Sequence, residues 1–450
     1  MRTAVLDDDP TGSQTVHGVA VSTVDGFAEV LAEPGASCFV LTNTRSMTQA
    51  AAVEFTTHIA TQLFELERAS GEPLEVVSRS DSTLRGHVLA EVAALNSARR
   101  TVLGRGFDGV VFAPAYFEAG RFTTDDIHFA TVDGRAVPVG QTEFARDASF
   151  GYRSSDLREF LAEKNGGPLA ADQVLSIGLD DIRTGGVDRV TEILARAHQL
   201  AFVVVNATGY ADLDVVVSAV RRLESDGRRF LFRTGPSFVR SLLGVEERAR
   251  LTEHDLWGDE QPGHGLVVVG SHVGQTGRQL ARLIERVPLA RFELDVAALL
   301  AAPGSDAVSE LAAQVRTALG AGDVLLTTSR SLVRDDDPDR SLRIAGTVSE
   351  ALTAVVRAAL AAHPSWVLAK GGITSHDVAV HGLGIRRSTV LGQFFPGMVS
   401  ALRIDQAADP DARGIRFVVF AGNVGDDDAL AEVVARLSRS SRRPGRAAPP

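Results

Sequence analysis

Cysteine is almost absent. Cys38 stands alone among 450 residues, inside an apolar run, which excludes an intramolecular disulfide and any thiolate metal cluster. Lysine is nearly as scarce: Lys164 and Lys370 are set against a large excess of arginine, so a lysine inside a motif is conspicuous. The net charge is −11 and no basic stripe is present, which argues against nucleic acid as a partner. The N-terminus lacks a charged-then-apolar leader, and no apolar run reads as long enough to span a bilayer. A cytoplasmic protein with no membrane partner is therefore expected. No Walker-type Gly-x-x-x-x-Gly-Lys-Ser/Thr occurs, and His264, His272, His376 and His381 fall in no HExxH-like metal spacing. Gly104-Arg105-Gly106-Phe107-Asp108-Gly109 matches the dinucleotide fingerprint by letter, but it precedes a strand instead of following one.

What is present is an α/β pattern. The length exceeds the usual single-core size, and 44% apolar residues can fill two cores. Apolar β-rich runs alternate with helical stretches, which predicts two α/β domains with mostly parallel sheets. In the first half, strands are expected at Thr3–Leu6, Ser37–Leu41, Leu74–Val77, Gly109–Ala113, Gln173–Ile177, Ala201–Val205 and Arg229–Phe232. Met47–Ala69 reads as a helix, and 125–140 as a hairpin or long loop. The polar, turn-rich stretch around 251–265 reads as a linker between domains at 1–250 and 266–437. In the second half, strands are expected at Leu266–Val269, Arg291–Leu294, Asp323–Thr327, Trp366–Ala369, Ser388–Leu391, Ala401–Ile404 and Arg416–Phe420. A long helix falls near Thr347–Ala362. Residues 438–450 are low-complexity and read as a disordered tail.

The polar motifs fall at the carboxyl ends of strands, where open parallel sheets bind ligands. The first strand runs into Asp7-Asp8-Asp9-Pro10-Thr11-Gly12. Acids so concentrated repel one another, which points to hydroxyl, metal or phosphoryl chemistry. Thr42–Arg45, Ser78–Gly86 and Pro114–Arg121 add Arg45, Arg79, Arg85 and Arg121. The planar fork of arginine grips a carboxylate with two bonds, and acids with Ser/Thr groups suit sugar hydroxyls. A small polyhydroxylated carboxylate fits this lining. Structural ion pairing among the same acids and arginines is the plain alternative. The second-half turns, Gly270–Thr276, Lys370–Ser375 and Gly422–Asp426, are rich in glycine and hydroxyls. Such junctions aim backbone amides at an anion and predict a phosphate-bearing ligand, against the alternative of ordinary glycine turns.

Asp7-Asp8-Asp9-Pro10-Thr11 also resembles the Asp-x-Asp-x-Thr of haloacid-dehalogenase-like phosphatases. There Asp7 would be the nucleophile and Asp9 the acid, with Gly425–Asp428 as late metal-binding acids and Lys370 as the strand-end lysine. That likeness leaves Asp81–Gly86 and Pro114–Arg121 unexplained.

Taken together, the motifs resemble the four-carbon acid sugar kinase family. Asp8-Asp9-Pro10-Thr11-Gly12 matches its opening Asp-Asp-x-Thr-Gly. Ser80-Asp81-Ser82-Thr83-Leu84-Arg85-Gly86 matches its Asp-Ser-Thr-Leu-Arg-Gly motif. Pro114–Arg121 and Thr142–Asp147 follow in the family's order, then Gly270–Thr276, Gly371–Thr374 and Phe420–Gly425. The likeness covers the chain up to about Leu437.

The resemblance implies an N-terminal acid-sugar domain, a C-terminal ATP domain and an active site in the cleft between them. It implies substrate contacts at Asp8, Asp9, Arg45, Arg79, Ser80, Asp81, Ser82, Arg85 and Arg121. It implies nucleotide contacts at Ser271, Lys370, Gly371, Gly372, Ile373, Thr374, Gly422 and Asn423. The expected reaction is phosphorylation of threonate or erythronate by ATP with Mg²⁺. Asp81 or Asp8 orients or deprotonates the hydroxyl, and Arg45 or Arg85 holds the carboxylate. Departures are Phe420-Ala421 for the family's Lys-Ser, Val273 for its second serine, and Arg79 for a common lysine. Loss of the Lys-Ser cation keeps a non-catalytic sugar-acid sensor in view, and Lys370 is the candidate replacement charge. The metal ligands and the oligomeric state, homo-oligomer included, stay open.

Overall fold

The computed structural model describes residues 1–9, 12–132, 134–302, 305–330, 338–422 and 424–438, the side chains of 338–342 excepted. Two compact units emerge, Met1–Glu247 and Arg248–Pro450.

In the first unit the strands are β1 (Arg2–Asp7), β2 (Ala20–Ser22), β3 (Ser37–Leu41), β4 (Leu74–Arg79), β5 (Gly109–Ala113), β6 (Arg121–Thr124), β7 (Ile127–Val132), β8 (Arg135–Pro138), β9 (Val174–Ile177), β10 (Ala201–Val205) and β11 (Phe230–Thr234). The main sheet is ordered β2-β3-β1-β4-β11-β5-β10-β9, with every pairing parallel. Parallel strands are covered on both faces, which is why they read as unbroken Val/Ile/Leu/Phe runs. β6, β7 and β8 form a separate antiparallel sheet, so the stretch expected as a hairpin or loop is a three-stranded meander. The helix expected at Met47–Ala69 spans Gln49–Ser70. Thr48 caps its start by accepting from the Ala51 amide, and Gly71, at φ 71°, ends it in the left-handed region. Its buried face (Ala52, Thr56, Ile59, Ala60, Leu63, Phe64) has helical spacing and packs against the sheet.

The second unit contains β12 (Gly265–Val269), β13 (Ala290–Leu294), β14 (Val324–Thr328), β15 (Trp366–Lys370), β16 (Ile385–Gln393), β17 (Ser400–Ala407) and β18 (Arg416–Phe420). Their order is β13-β14-β12-β15-β18-β17-β16. The pairings from β13 to β18 are parallel, and the last two are antiparallel.

Two expectations need correction. The stretch 251–265 is not a bare linker. Thr252 caps a helix at Glu253–Trp257 through a capping box, and Leu251, Leu256 and Trp257 enter the core of the second unit. Of the polar residues in that stretch, Thr252 and Asp255 form the cap. One helix, Arg343–Ala362, does reach the length and mean hydropathy of a membrane span, at 20 residues and 1.4. Leu352, Val355, Val356, Ala359 and Leu360 on it are buried inside the protein, so a core-facing stripe accounts for its apolarity. Of the tail expected at 438–450, Ser438 is buried and bonds Asp323, and the rest lies outside the described residues.

Candidate functional site

In the first unit, β1, β3, β4 and β11 run side by side and parallel, so their carboxyl ends share one edge. β1 delivers Asp7, Asp8 and Asp9. The turn after β3 delivers Arg45, whose amide bonds the Asp8 carbonyl at 3.4 Å. β4 ends in Arg79 and leads into Ser80 and Asp81. β11 carries Arg233.

The acids occupy different electrostatic states. Asp7 is buried, and Arg79 Nη1 donates to its Oδ1 at 2.9 Å. Burial nevertheless pushes its carboxyl up to about 7, Arg79 opposing. A Cβ on Gly12 would collide with the same carboxylate, so glycine is required there. Asp8 is buried with neither carboxylate oxygen hydrogen-bonded. Arg79 stands 3.6 Å away, too far for a hydrogen bond. Burial raises its carboxyl to about 6, with Arg45, Arg79 and Arg233 pulling it back. Asp9 pairs with Arg45.

Asp81 is the opposite case. Burial opposes its charge, yet Arg45 (3.5 Å), Arg85 Nε (2.7 Å) and the Thr83 hydroxyl together hold its carboxyl far below the usual range. A carboxylate so stabilised is a poor proton acceptor. Of the two candidate bases, Asp8 is the one whose carboxyl is raised, while Asp81 is held as an anion beside Arg45 and Arg85.

The arginines divide in the same way. Arg45 is held by Asp9 and Asp81, Arg79 by Asp7, and Arg85 by Asp81 and, at 3.7 Å, Asp147. Arg121 has no ion pair among the described residues, and its buried Nε lacks a hydrogen-bond partner. Its guanidinium lies between the Tyr116 and Phe144 rings, 5.6 and 5.7 Å from their centroids. Phe144 also underlies Arg85 at 5.4 Å, which gives the Thr142–Asp147 motif a physical role. A reciprocal pair of 2.9 Å backbone bonds between Tyr116 and Arg121 closes the turn that aims the side chain. Arg45 and Arg85, from which a carboxylate grip is expected, are thus already paired with acids, whereas Arg121 has no such partner among the described residues.

Ser80 and Ser82 are buried. The Ser80 amide bonds the Thr234 carbonyl at 3.0 Å. The Ser82 carbonyl accepts from His128 Nε2 at 2.8 Å, and His128 Nδ1 accepts from the Thr123 hydroxyl at 2.9 Å. Burial holds His128 down to about 4, so it stays neutral in that role. A cavity of about 720 Å³ opens beside Arg45 and Gly86, with His87, Ser149, Phe150 and Lys164 in its wall.

Two supporting residues were not anticipated. Arg233 is fully buried; its Nη1 reaches the Ser78 hydroxyl at 2.6 Å and Glu91. Glu91 in turn accepts from Thr44, tying three strand ends together behind Asp8. A lone arginine in the apolar strand Phe-Leu-Phe-Arg-Thr was the available signal. His128 gave a weaker one, as a polar residue alternating into the meander.

In the second unit, β14, β12, β15 and β18 are adjacent and parallel. The turns after β12, β15 and β18 interlock. A Cβ on Gly270 would strike Thr374 Oγ1, one on Gly422 would come within 2.8 Å of Ser271 Oγ, and Gly371 adopts φ 118° against Ser271. Thr276 Oγ1 bonds both Ser271 Oγ and the Gly422 carbonyl at 3.1 Å. Gly372 opens the short helix Gly372–Asp377, and Ile373 is 69% exposed. Lys370 is fully buried beside this cradle with no carboxylate partner among the described residues. Asn423, also expected here, lies outside the described residues. The geometry fits an anion: backbone is packed where side chains would intrude, with one buried cation at hand.

Asp7–Asp9 and Gly425–Asp428 fall in different units, and Asp427 and Asp428 are paired with Arg278 and Arg286 at 2.9 Å.

The two halves separate by ligand class, and family models separate them in the same way. A sugar-binding N-terminal domain matches residues 3–242, and a nucleotide-binding C-terminal domain matches residues 266–430. The chain is thus a two-domain protein with a sugar-binding-type N-terminal domain and a nucleotide-binding-type C-terminal domain. It belongs to the four-carbon acid sugar kinase family. Among solved structures, it is similar to a Haemophilus influenzae protein of a domain-of-unknown-function family, with 18% identity, TM-score 0.63, and coverage of 96% of this chain and 99% of the other. It is also similar to a Salmonella typhimurium LT2 protein described provisionally as a tRNA synthase, with 16% identity, TM-score 0.69, and coverage of 98% and 99%. These likenesses concern the fold. No curated protein sequence matches the chain.

Proposed function

We propose that the protein is an ATP-dependent kinase that phosphorylates a hydroxyl of a small four-carbon acid sugar of the threonate or erythronate kind. The observation that carries this reading is Asp8, a buried carboxylate with both oxygens unsatisfied and its pKa raised to about 6. A buried carboxylate that accepts no hydrogen bond costs stability, and a sugar hydroxyl would supply one.

In this reading Arg121 takes the sugar carboxylate, which supplies the anion its guanidinium lacks. Arg45 and Asp9, being partly exposed, take further hydroxyls. Asp8 accepts the proton of the acceptor hydroxyl as that oxygen bonds to the γ-phosphorus and the bond to the ADP oxygen breaks. Transfer of this kind depends on positioning and charge neutralisation. Lys370 and the backbone of the Ser271, Gly371–Thr374 and Gly422 turns hold the phosphates. Among the described residues no group of three or more His, Cys, Asp or Glu side chains gathers as a metal site. Mg²⁺ in nucleotide sites is ligated largely by phosphate and water; it supplies charge neutralisation when it enters with ATP, and no protein ligand is assigned to it.

The test is ADP formation with ATP and a panel of four-carbon sugar acids. Turnover that depends on both substrates supports the kinase. Phosphate release from a sugar phosphate without ATP would replace it with a phosphatase, and acid binding without turnover would replace it with a sensor.

A further inference from the structure

Ser329 and Arg330 follow the carboxyl end of β14, the strand beside β12. Arg330 Nη1 donates to the Ser271 carbonyl at 2.7 Å. Ser271 forms the inner wall of the glycine cradle, its hydroxyl bonded to Thr276 and placed against Gly422. Four neighbouring strand ends therefore meet here, in the order β14, β12, β15, β18. Lys370 stands on one side of the Ser271 turn and Arg330 on the other.

The two cations differ in state. Lys370 is buried, whereas Arg330 is exposed and has no ion pair among the described residues. Partial burial of the guanidinium lowers its pKa, with Glu293 pulling the other way. One N–H of the guanidinium is spent on Ser271, which leaves the rest of the planar fork for a ligand. A nucleoside polyphosphate brings several negative charges, more than one lysine balances.

We propose that Arg330 is a nucleotide-phosphate-binding residue, fixed by the Ser271 carbonyl so that its remaining N–H groups close on the phosphate chain. This rests on nucleotide occupying the Ser271–Gly371–Gly422 cradle. No feature singled out in the sequence pointed to Arg330; it emerges from the pairing of β14 with β12.

The test is calorimetric titration of the full-length protein with ADP and with adenosine, for wild type, Arg330→Gln and Arg330→Lys. The expected result is a loss of about tenfold or more in ADP affinity for Arg330→Gln, the size of one charge-assisted contact. Arg330→Lys should recover part of it, adenosine binding should change by less than about twofold, and the salt dependence of ADP binding should weaken. If wild type binds no nucleotide, the cradle assignment itself fails. If wild type binds ADP and Arg330→Gln binds it within twofold, or loses adenosine equally, the phosphate contact is overturned.

Discussion

The ammonium of Lys370 lies 4.0 Å from the centroid of the Phe420 ring and donates to the Ala421 carbonyl at 3.2 Å. Phe420 occupies the position where the family pattern has a lysine. An aromatic ring fills that strand end here, and the Lys370 cation reaches the same turn from the adjoining strand.

Burial without an anion pushes Lys370 down to about 7. Below pH 7 the ammonium is charged in both folded and unfolded states, and its full desolvation cost is present. Between about 7 and 10.5 the unfolded chain holds the proton and the folded one does not, so this contribution to stability improves as pH rises. Lys370→Met should therefore raise the melting temperature at pH 6.5 by at least about 3 °C, with the gain shrinking toward pH 10. The same variant should lose about tenfold or more in ADP affinity. Melting curves across pH and calorimetry with ADP check both; an unchanged melting temperature with unchanged ADP affinity would remove Lys370 from the site.

Asp8→Asn should lower kcat by about two to four orders of magnitude while ADP affinity holds. The wild-type rate should rise through pH 6 as Asp8 ionises, and the variant should lose that limb. Because the folded pKa is raised, the stability cost is absent below about 3.8 and complete above 6. The variant should therefore be more heat-stable than wild type at pH 8 and equal to it at pH 3.5.

Arg121→Gln should raise KM for the sugar acid by about 10- to 100-fold with a smaller change in kcat. A neutral polyol of the same length should show little difference between variant and wild type. Steady-state kinetics with the acid and the polyol decide it; equal effects on both would make Arg121 a packing residue.

Gly86 adopts φ 122°, and an added Cβ would lie 3.2 Å from Asp8 Oδ2 and 3.3 Å from Arg233. Gly86→Ala should cost about 1–3 kcal/mol of stability and depress turnover, since relief of the contact displaces Asp8. Chemical denaturation and kcat together measure it. A variant of wild-type stability and rate would show that the Asp8 pocket tolerates the shift.

Much of this was legible along the chain because it is local. Apolar runs of four to six residues bounded by polar turns mark buried parallel strands, and the observed parallel strands fall on them with ends shifted by at most two residues, while the antiparallel β16 and β17 run up to three residues further. β2, only three residues long at Ala20–Ser22, was too short to register. The strand-end motifs were likewise visible, since a strand that stops must stop in polar sequence.

The sequence by itself determined the two α/β halves, the strand ends and the acids, arginines and glycine turns collected there. Tertiary structure alone decided which of these groups are already satisfied. Asp81 and Asp8 are equivalent on paper, yet Arg85 and Thr83 hydrogen-bond the first while the second, although near Arg79, accepts no hydrogen bond. Arg45, Arg85 and Arg121 read alike, yet only Arg121 lies between aromatic rings without an acid. Arg233 and Arg330 enter through strand pairing between segments far apart in sequence. The physical reason is common to all of them: charge state and availability depend on burial and on distances of a few ångströms, which the order of residues does not contain.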